Sequence, residues 1–135
     1  MIVGTGIDVI EIARIERVLA SRGERFTRRV FATGEIATCE ASGRAAIQYA
    51  VRFAAKEAVL KALGTGLARG VRWVDVETLP DAAGRSGRLG LKLHGRAAEL
   101  ARQEGGGTED LTVQLAIART RSHAMAVVLI ESSPQ

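Results

Sequence analysis

The sequence is short of three kinds of feature, and each shortage excludes a class of protein. It has one cysteine, Cys39, so an intramolecular disulfide is impossible, and a lone thiol outside any motif is more often packing than a nucleophile. No apolar run approaches the roughly 20 residues that span a bilayer. The start of the chain lacks a basic signal-like region and meets Asp8 and Glu11 early. We therefore expect a cytoplasmic protein that does not act at a membrane.

Aromatic residues are also scarce, whereas positive charge is concentrated. The chain has a net charge of +4, and the segment 14–29 alone carries six arginines against two glutamates, which is again +4. Such a segment predicts an anionic partner. The five aromatic residues offer little for base stacking, which weighs against single-stranded nucleic acid. A small basic nucleic-acid-binding module remains the competing function, although Trp73 would be its only stacking residue on a predicted strand.

Hydrophobic periodicity predicts an α+β fold in which helices pack on a small antiparallel sheet. At 135 residues the length suits one domain, which we place at 1–131, with a frayed tail at 132–135. Thr33 is the expected N-cap of the third helix, and Gly64 is expected to end the fourth. The predicted order is β-α-α-α-β-β-α-β-β, with three helices before the first hairpin. The segments are strand 1–8, helices 9–21, 35–40 and 45–63 with an additional short helix at 25–31, strands 71–79 and 88–95, helix 96–104, and strands 111–120 and 124–132.

Glu57 is the residue that helix formation alone does not explain. On a 3.6-residue period it shares a side of its helix with Phe53 and Ala54, so a carboxylate lies among apolar residues. Lys61 follows one turn later. An ordinary surface ion pair between Glu57 and Lys61, worth about 0.3–0.5 kcal/mol, is the simpler interpretation.

Asp8 is a second carboxylate with two interpretations. It lies where the first strand is predicted to pass into a helix, and Asp8 with Glu11 matches a capping box. Alternatively, Asp8 and Glu57 converge on a hard cation, because Mg²⁺ commonly takes one or two carboxylates together with water and phosphate oxygens. Lys61 and the glycine-rich turn 64–66 would suit a diphosphate. Composition and spacing permit this magnesium–phosphate site without identifying one.

Four stretches of the sequence together resemble a known family. They are "GIDVIEIARIERV" at 6–18, "RFAAKEAVLKALGTG" at 52–66, "WVDVE" at 73–77 and "AVVLIE" at 126–131. In this order and spacing they are similar to the AcpS-type holo-acyl-carrier-protein synthases, the small phosphopantetheinyl transferases, over residues 1–131. The resemblance implies the phosphopantetheinyl transferase fold. It also implies transfer of the 4′-phosphopantetheine arm from coenzyme A to a serine of apo-acyl carrier protein, releasing adenosine 3′,5′-bisphosphate.

The resemblance also assigns roles to residues. It implies Mg²⁺ as cofactor, held by Asp8 and Glu57, with Lys61 as a further catalytic residue. It implies a homotrimer with active sites between neighbouring protomers. The coenzyme A contacts that it implies are Arg52, Lys56, Lys61, Gly64, Thr65 and Gly66.

An acidic carrier protein would give the arginine segment its partner. By position, the resemblance implies docking through Arg14, Arg25 and Phe26, with Arg22 and Arg28 as neighbours. A solvated basic helix face is the alternative. Which carrier is served, that of fatty-acid or of polyketide synthesis, is open.

The chain departs from the family pattern in two places near the implied site. Arg119 stands where relatives have histidine or aspartate, and His123 falls later, so no catalytic histidine is carried over. The usual G-K-P turn is replaced by Gly87, Arg88 and Leu89, which leaves a nucleotide contact there open. A relative that keeps the scaffold without turnover is a further alternative, against which the intact Asp8, Glu57 and Lys61 argue.

Overall fold

The computed structural model describes residues 1–81 and 83–133, and it has the predicted α+β architecture. The helices and strands lie near the predicted segments, but four helices rather than the three of the predicted order precede the first hairpin, and a short 3₁₀ turn is added before the second strand. The elements are β1 Ile2–Glu11, α1 Ile12–Arg22, α2 Glu24–Val30, α3 Thr33–Ala41, α4 Ala45–Leu63, the 3₁₀ turn Trp73–Asp75, β2 Val76–Pro80, β3 Leu89–Leu93, α5 Gly95–Glu104, β4 Leu111–Arg119 and β5 His123–Ser132.

The strands form two antiparallel sheets, one of three strands in the order β1-β5-β4 and one formed by the hairpin β2-β3. Helix α4 lies on the larger sheet, where two glycines of β1 allow a close approach of the two backbones. A Cβ added at Gly6 would lie 1.9 Å from the carbonyl oxygen of Ala58, and one at Gly4 would lie 2.1 Å from that of Ala62. The backbone of β1 therefore rests directly on α4, two residues before Asp8.

The opposite face of this sheet is apolar and exposed. Ile7 and Val9 of β1 are each 54% exposed, and Met125 and Val127 of β5 are 36% and 43% exposed. The pairing of Val9 with Met125 and of Ile7 with Val127 places the four side chains in one patch, because paired residues point to the same face. We call this patch the outer sheet face.

The first strand is longer than predicted, which overturns the capping interpretation of Asp8. Strand β1 continues through Glu11, and α1 begins at Ile12 rather than at Val9. Asp8 pairs with Ala126 inside the ladder, and the N-cap of α1 is Glu11, without a side-chain capping bond. The β-branched residues Ile7 and Val9 favour the extended ladder with β5.

Two other end points also differ from the prediction. The N-cap of α3 is Ala32, whose N–H donates to the Glu35 side chain at 3.0 Å, and Thr33 is the first helical residue. Ser132 belongs to β5 rather than to a frayed tail, because it exchanges backbone hydrogen bonds with Met1 at 2.6 and 2.8 Å. Residues 134 and 135 of the predicted tail lie outside the described residues. Among the described helices, none combines the length and apolarity that a membrane span requires.

Candidate active site

The crossing of β1 over α4 brings Asp8 and Lys61 together. The Lys61 ammonium donates to Asp8 Oδ1 and to the carbonyl oxygen of Ile7, each at 3.0 Å. Within 4.0 Å among the described residues, the ion-pair partner of Lys61 is Asp8 and not Glu57. The simple i,i+4 pair expected on the helix surface is therefore wrong, and Lys61 instead joins the helix to the strand.

Glu57 lies close enough to Asp8 and Lys61 for their charges to shift its pKa. Its side chain is half-buried, and burial raises its pKa above the ordinary value, with the Asp8 charge adding to the rise. The charges of Lys61 and Arg14 act in the opposite direction. Asp8, Glu57 and Lys61, which we call the carboxylate site, thus form one electrostatic group with Arg14 at its margin.

The oxygen donors of the carboxylate site fit a magnesium ion. In the part of the chain that is described, no three His, Cys, Asp or Glu side chains gather into a metal-binding group. That donor set is too small for a closed structural zinc site, which needs four protein ligands. Two carboxylates suit Mg²⁺, which keeps several waters and takes phosphate oxygens from its substrate. The Lys61 ammonium beside Asp8 supplies part of the charge balance that a cation would complete.

A cavity of about 850 Å³ opens on another side of α4. Its walls come from α3, α4, β2, the loop that precedes β3 and the end of β4. Basic residues line it from three of these elements: Arg52 of α4, Arg88 of the loop and Arg119 of β4. Its volume falls within the range of small-molecule and cofactor sites, and its arginines suit an anionic ligand. We call it the basic cavity.

Arg52 belongs to the basic cavity and not to the carboxylate site. Its guanidinium donates to the side chain of Gln48 at 2.7 Å and to the Gln48 carbonyl oxygen at 3.1 Å. Five residues separate Arg52 from Glu57, which turns them about 140° apart around the helix. The structure therefore does not bring Arg52 and Lys61 together within one chain.

The direct coenzyme A contact implied for Lys56 does not fit its position. Lys56 is fully buried, and its ammonium donates to Glu35 Oε1 at 2.8 Å, to the Trp73 carbonyl oxygen at 3.3 Å and to the Val76 carbonyl oxygen. These three bonds use all the donors of the ammonium group. Burial lowers the pKa of Lys56, and the neighbouring Glu35 charge opposes that shift.

The glycine-rich turn follows the carboxylate site along the chain. Gly64 and Gly66 have φ values of 71° and 55°, in the left-handed region that favours glycine, and Gly64 ends α4 as predicted. Both glycines are exposed, and Thr65 between them is half-buried. The turn begins three residues after Lys61, so it extends the carboxylate site toward solvent.

The arginine segment is exposed as expected, but its phenylalanine is not free. Arg14, Arg22 and Arg25 are exposed on α1 and α2, and Arg28 pairs with Glu24 at 3.2 Å. Phe26 is half-buried, and its ring contacts two others. Ring contacts, with centroids 4.9 to 6.1 Å apart, in fact join all five aromatic side chains of the protein: Phe26, Phe31, Tyr49, Phe53 and Trp73.

The two departures from the family pattern meet at the basic cavity, whereas His123 lies outside its lining. Arg119 is exposed at the end of β4 and lines the basic cavity, as do Gly87 and Arg88. His123 lies at the start of β5, where its Nδ1 is 2.8 Å from the hydroxyl of Ser122. Sequence reasoning missed the basic cavity because its walls come from segments far apart in the chain, and the basic residues at 52, 88 and 119 were the only signal.

Comparisons with known proteins identify the family. The family model described as 4′-phosphopantetheinyl transferase superfamily matches residues 4–127. A holo-[acyl-carrier-protein] synthase of Alkalilimnicola ehrlichii is 46% identical over 134 residues, which cover 98% of this chain and 99% of that protein.

Solved structures agree with this match. The holo-ACP-synthase of Plasmodium yoelii superposes with a TM-score of 0.80 at 27% identity, covering 99% of this chain and 98% of that one. The holo-(acyl-carrier-protein) synthase of Bacillus anthracis, solved in complex with CoA (3′,5′-ADP), gives a TM-score of 0.75 at 33% identity, covering 98% and 99%. The resemblance inferred from the sequence motifs is confirmed: the chain belongs to the 4′-phosphopantetheinyl transferase superfamily.

Proposed function

We propose that this chain transfers the 4′-phosphopantetheine group from coenzyme A to a serine of apo-acyl carrier protein and releases adenosine 3′,5′-bisphosphate. The observation that carries the proposal is the carboxylate site, in which Lys61 joins Asp8 beside the half-buried Glu57. Membership of the superfamily and the curated relatives named as synthases support it. We propose that the chain through Ser132 forms one transferase domain that acts in the cytoplasm.

The reaction replaces the bridging oxygen of the diphosphate, at one phosphorus, by the hydroxyl oxygen of serine. The serine hydroxyl oxygen attacks the phosphorus that bears the pantetheine arm, and the bond from that phosphorus to the bridging oxygen breaks. The bisphosphate leaves with the bridging oxygen. Because such a reaction needs positioning and charge neutralisation more than covalent help, a few well-placed charges suffice.

Glu57 is suited to take the proton of the serine hydroxyl. A base works best when its pKa approaches the operating pH, and burial together with the Asp8 charge moves the pKa of Glu57 in that direction. Lys61, half-exposed beside Asp8, can place its ammonium against the leaving bisphosphate. A bound Mg²⁺, held by Asp8 and Glu57, would supply the remaining neutralisation of the diphosphate.

We propose a homotrimer in which each complete site uses two protomers. The basic cavity and the carboxylate site lie on different sides of α4, so one chain does not present both to the same ligand. Association of protomers through the outer sheet face would bury its exposed apolar side chains, which favours an oligomer. Association that joins one protomer's cavity to its neighbour's carboxylate site would complete the site.

Coenzyme A would then extend between the two halves. The Lys61 side chain with the turn 64–66 would hold the diphosphate, and Arg52 and Arg119 of the basic cavity would hold the adenosine bisphosphate end. Pro80 and Leu89 add apolar lining for the base. The exposed arginines of α1 and α2 would receive the acidic carrier, and the half-buried Phe26 would contribute a small apolar contact.

Nucleic-acid binding is the weaker candidate. The aromatic residues of the chain pack against one another, and Trp73 already has its ring 5.1 Å from that of Phe53. Single-strand binders instead present aromatic faces to the bases.

The test is to incubate the protein with apo-carrier, coenzyme A and Mg²⁺ and to weigh the carrier by mass spectrometry. The carrier should gain one phosphopantetheine group, and a carrier whose acceptor serine is replaced by alanine should gain nothing. An unmodified carrier would overturn the proposal.

A further inference from the structure

A fully buried ion pair next to the carboxylate site has no part in the proposed chemistry. Glu35 of α3 and Lys56 of α4 are 3% and 0% exposed, and their charged atoms are 2.8 Å apart. Lys56 precedes Glu57 directly, but the two side chains diverge by about 100° around the helix. Lys56 therefore points away from the carboxylate site and into the protein.

Every oxygen of the Glu35 carboxylate is engaged, and the partners come from different elements. Oε1 accepts from Lys56 of α4 and from the N–H of Ala32 at the start of α3. Oε2 accepts from the hydroxyl and the N–H of Thr78 in β2, at 2.5 and 3.3 Å. One carboxylate thus ties α3, α4 and β2 together.

Lys56 strengthens the same connection. Its other two bonds go to the carbonyl oxygens of Trp73 and Val76, which lie in the 3₁₀ turn and at the start of β2. The β2-β3 hairpin is not part of the larger sheet, so it lacks the ladder hydrogen bonds that fix β1, β4 and β5. The polar network of Glu35, Lys56 and Thr78 is a principal attachment of this hairpin to the helices.

The three elements that the network joins are also walls of the basic cavity. Glu35 and Thr78 line the cavity themselves, and Arg52 lies one turn before Lys56 on the same side of α4. Beyond Thr78, β2 leads through Pro80 to the loop that carries Arg88. A shift of β2 relative to α4 would therefore change the separation of Arg52 from the opposite wall.

Stability alone is a weak reason for such a pair. Desolvating two charges costs much of what their attraction returns, and well-packed apolar residues commonly stabilise a core as well or better. What the pair adds is a defined geometry, because all of the hydrogen bonds of Glu35 and Lys56 are satisfied together in only one position of β2 relative to the helices.

We infer that Glu35, Lys56 and Thr78 are positioning residues that set the width of the basic cavity, and through it the affinity for the adenosine bisphosphate end of coenzyme A. The inference rests on the proposed function, which assigns that end of the substrate to the cavity. It gives Lys56 an indirect role in place of the direct contact that the family resemblance implied.

The test compares Thr78→Val with Thr78→Ser. Valine keeps the shape and the strand preference of threonine but removes the hydroxyl that donates a hydrogen bond to Glu35, whereas serine retains that hydroxyl. The dissociation constant of adenosine 3′,5′-bisphosphate is measured by calorimetry on the full-length, folded protein, well below its unfolding temperature. We expect Thr78→Val to bind about five-fold more weakly, a ratio that corresponds to the net free energy of one hydrogen bond, and Thr78→Ser to bind normally.

The kinetics separate positioning from mere structural support. In Thr78→Val, the KM for coenzyme A should rise in the same ratio, while kcat and the KM for the carrier stay within about two-fold of normal. A purely structural role would lower the active fraction, and with it kcat, and leave the affinity of the folded protein unchanged. Unchanged affinity in Thr78→Val would overturn the inference.

A second variant alters the carboxylate instead of the hydroxyl, and circular dichroism checks that it folds, because it leaves Lys56 buried without its counter-charge. Glu35→Gln keeps the size of the side chain and one acceptor oxygen but loses the charge, and it should weaken bisphosphate binding in the same direction. Normal bisphosphate binding by folded Glu35→Gln, or by both variants, would contradict the positioning role and would leave the proposed function unaffected. If the unaltered protein itself fails to bind the bisphosphate, the cavity assignment in the proposed function fails as well.

Discussion

Two polar clusters occupy neighbouring sides of α4, and they differ in how deeply they are buried. Lys56 and Glu35 are buried, and their hydrogen-bonding atoms are engaged within the chain. Glu57, the very next residue, is half-buried, and burial and the Asp8 charge raise its pKa. A fully buried cluster fixes the positions of the elements around it, whereas a partly exposed one is accessible to a cation, a substrate or a proton.

The largest expected effect breaks the fully buried cluster. Replacing Lys56 with methionine fills much of the same volume but leaves the Glu35 carboxylate buried without its counter-charge. We expect the free energy of unfolding to fall by about 3–5 kcal/mol, as is typical when one partner of a buried pair is removed. Urea denaturation measures this loss, and a Lys56→Met protein of normal stability would show that the pair is not required for the fold.

The second effect tests whether the carboxylate site is completed by another copy of the chain. Val127→Lys puts a charge on the outer sheet face. The Val127 side chain is 43% exposed in the single chain, so a lysine there can reach solvent without disturbing the fold of an isolated protomer. We expect light scattering to show dissociation, and activity to fall by more than about ten-fold because a charge buried in an interface is costly.

The matched control is Arg102→Lys on α5, outside the outer sheet face, which should change neither property. A fully active Val127→Lys monomer would contradict the shared site. A trimer that keeps its activity despite the charge would instead move the interface elsewhere.

A smaller effect concerns Arg14 and Arg25 of the exposed arginine segment. Arg25 is exposed on α2, whereas Arg14 also contributes to the electrostatics of Glu57. Charge reversal in Arg25→Glu should lower kcat/KM for the carrier about ten-fold at low salt, with the KM for coenzyme A unchanged.

The Arg25 effect should shrink as salt screens the interaction. Arg14→Glu should lower kcat/KM for the carrier and, in addition, shift the acid side of the pH profile upward, because it removes a charge that favours ionised Glu57. Carrier kinetics that ignore both reversals would leave this segment as a solvated basic face.

The smallest effect is a gain in stability. Because the folded-state pKa of Glu57 is raised, the folded protein holds this proton more tightly than the unfolded chain does. The ionised side chain therefore costs stability, and the cost appears as the pH rises through and above the ordinary glutamate value of 4.5.

Without added metal, Glu57→Gln should consequently raise Tm at pH 8 and have little effect at pH 4. Differential scanning calorimetry at the two pH values measures the difference. A Tm that falls at pH 8 would show that ionised Glu57 stabilises the metal-free fold, which contradicts the stability cost predicted from its raised pKa.

The contrast between the clusters also explains what the sequence could and could not predict. Helix α4 was predicted with its observed ends, Ala45 and Leu63, because an apolar period and a terminal glycine are local signals. The Glu35 contacts were not predicted, since they join residues 21 and 43 positions apart.

Asp8 illustrates the same limit. Its capping pattern is local and correct in form, but the ladder with β5, whose residues follow more than a hundred positions later, extends β1 through Glu11. The carboxylate site was therefore predicted through the family motif, which carries the long-range information that periodicity lacks. The same motif includes Arg52 and Lys56 but none of their distant partners, so it did not predict the basic cavity or the buried network.

The most direct test of the account is carrier modification by Glu57→Gln beside the unaltered protein. The two are incubated with apo-carrier, coenzyme A and Mg²⁺, and the mass of the carrier is followed with time. Glu104→Gln, an exposed glutamate of α5, serves as the matched control. We predict that the unaltered protein and Glu104→Gln add one phosphopantetheine group at similar rates, and that Glu57→Gln, though folded, is slower by about a thousand-fold. A Glu57→Gln protein that modifies the carrier at a near-normal rate would contradict the central role of the carboxylate site.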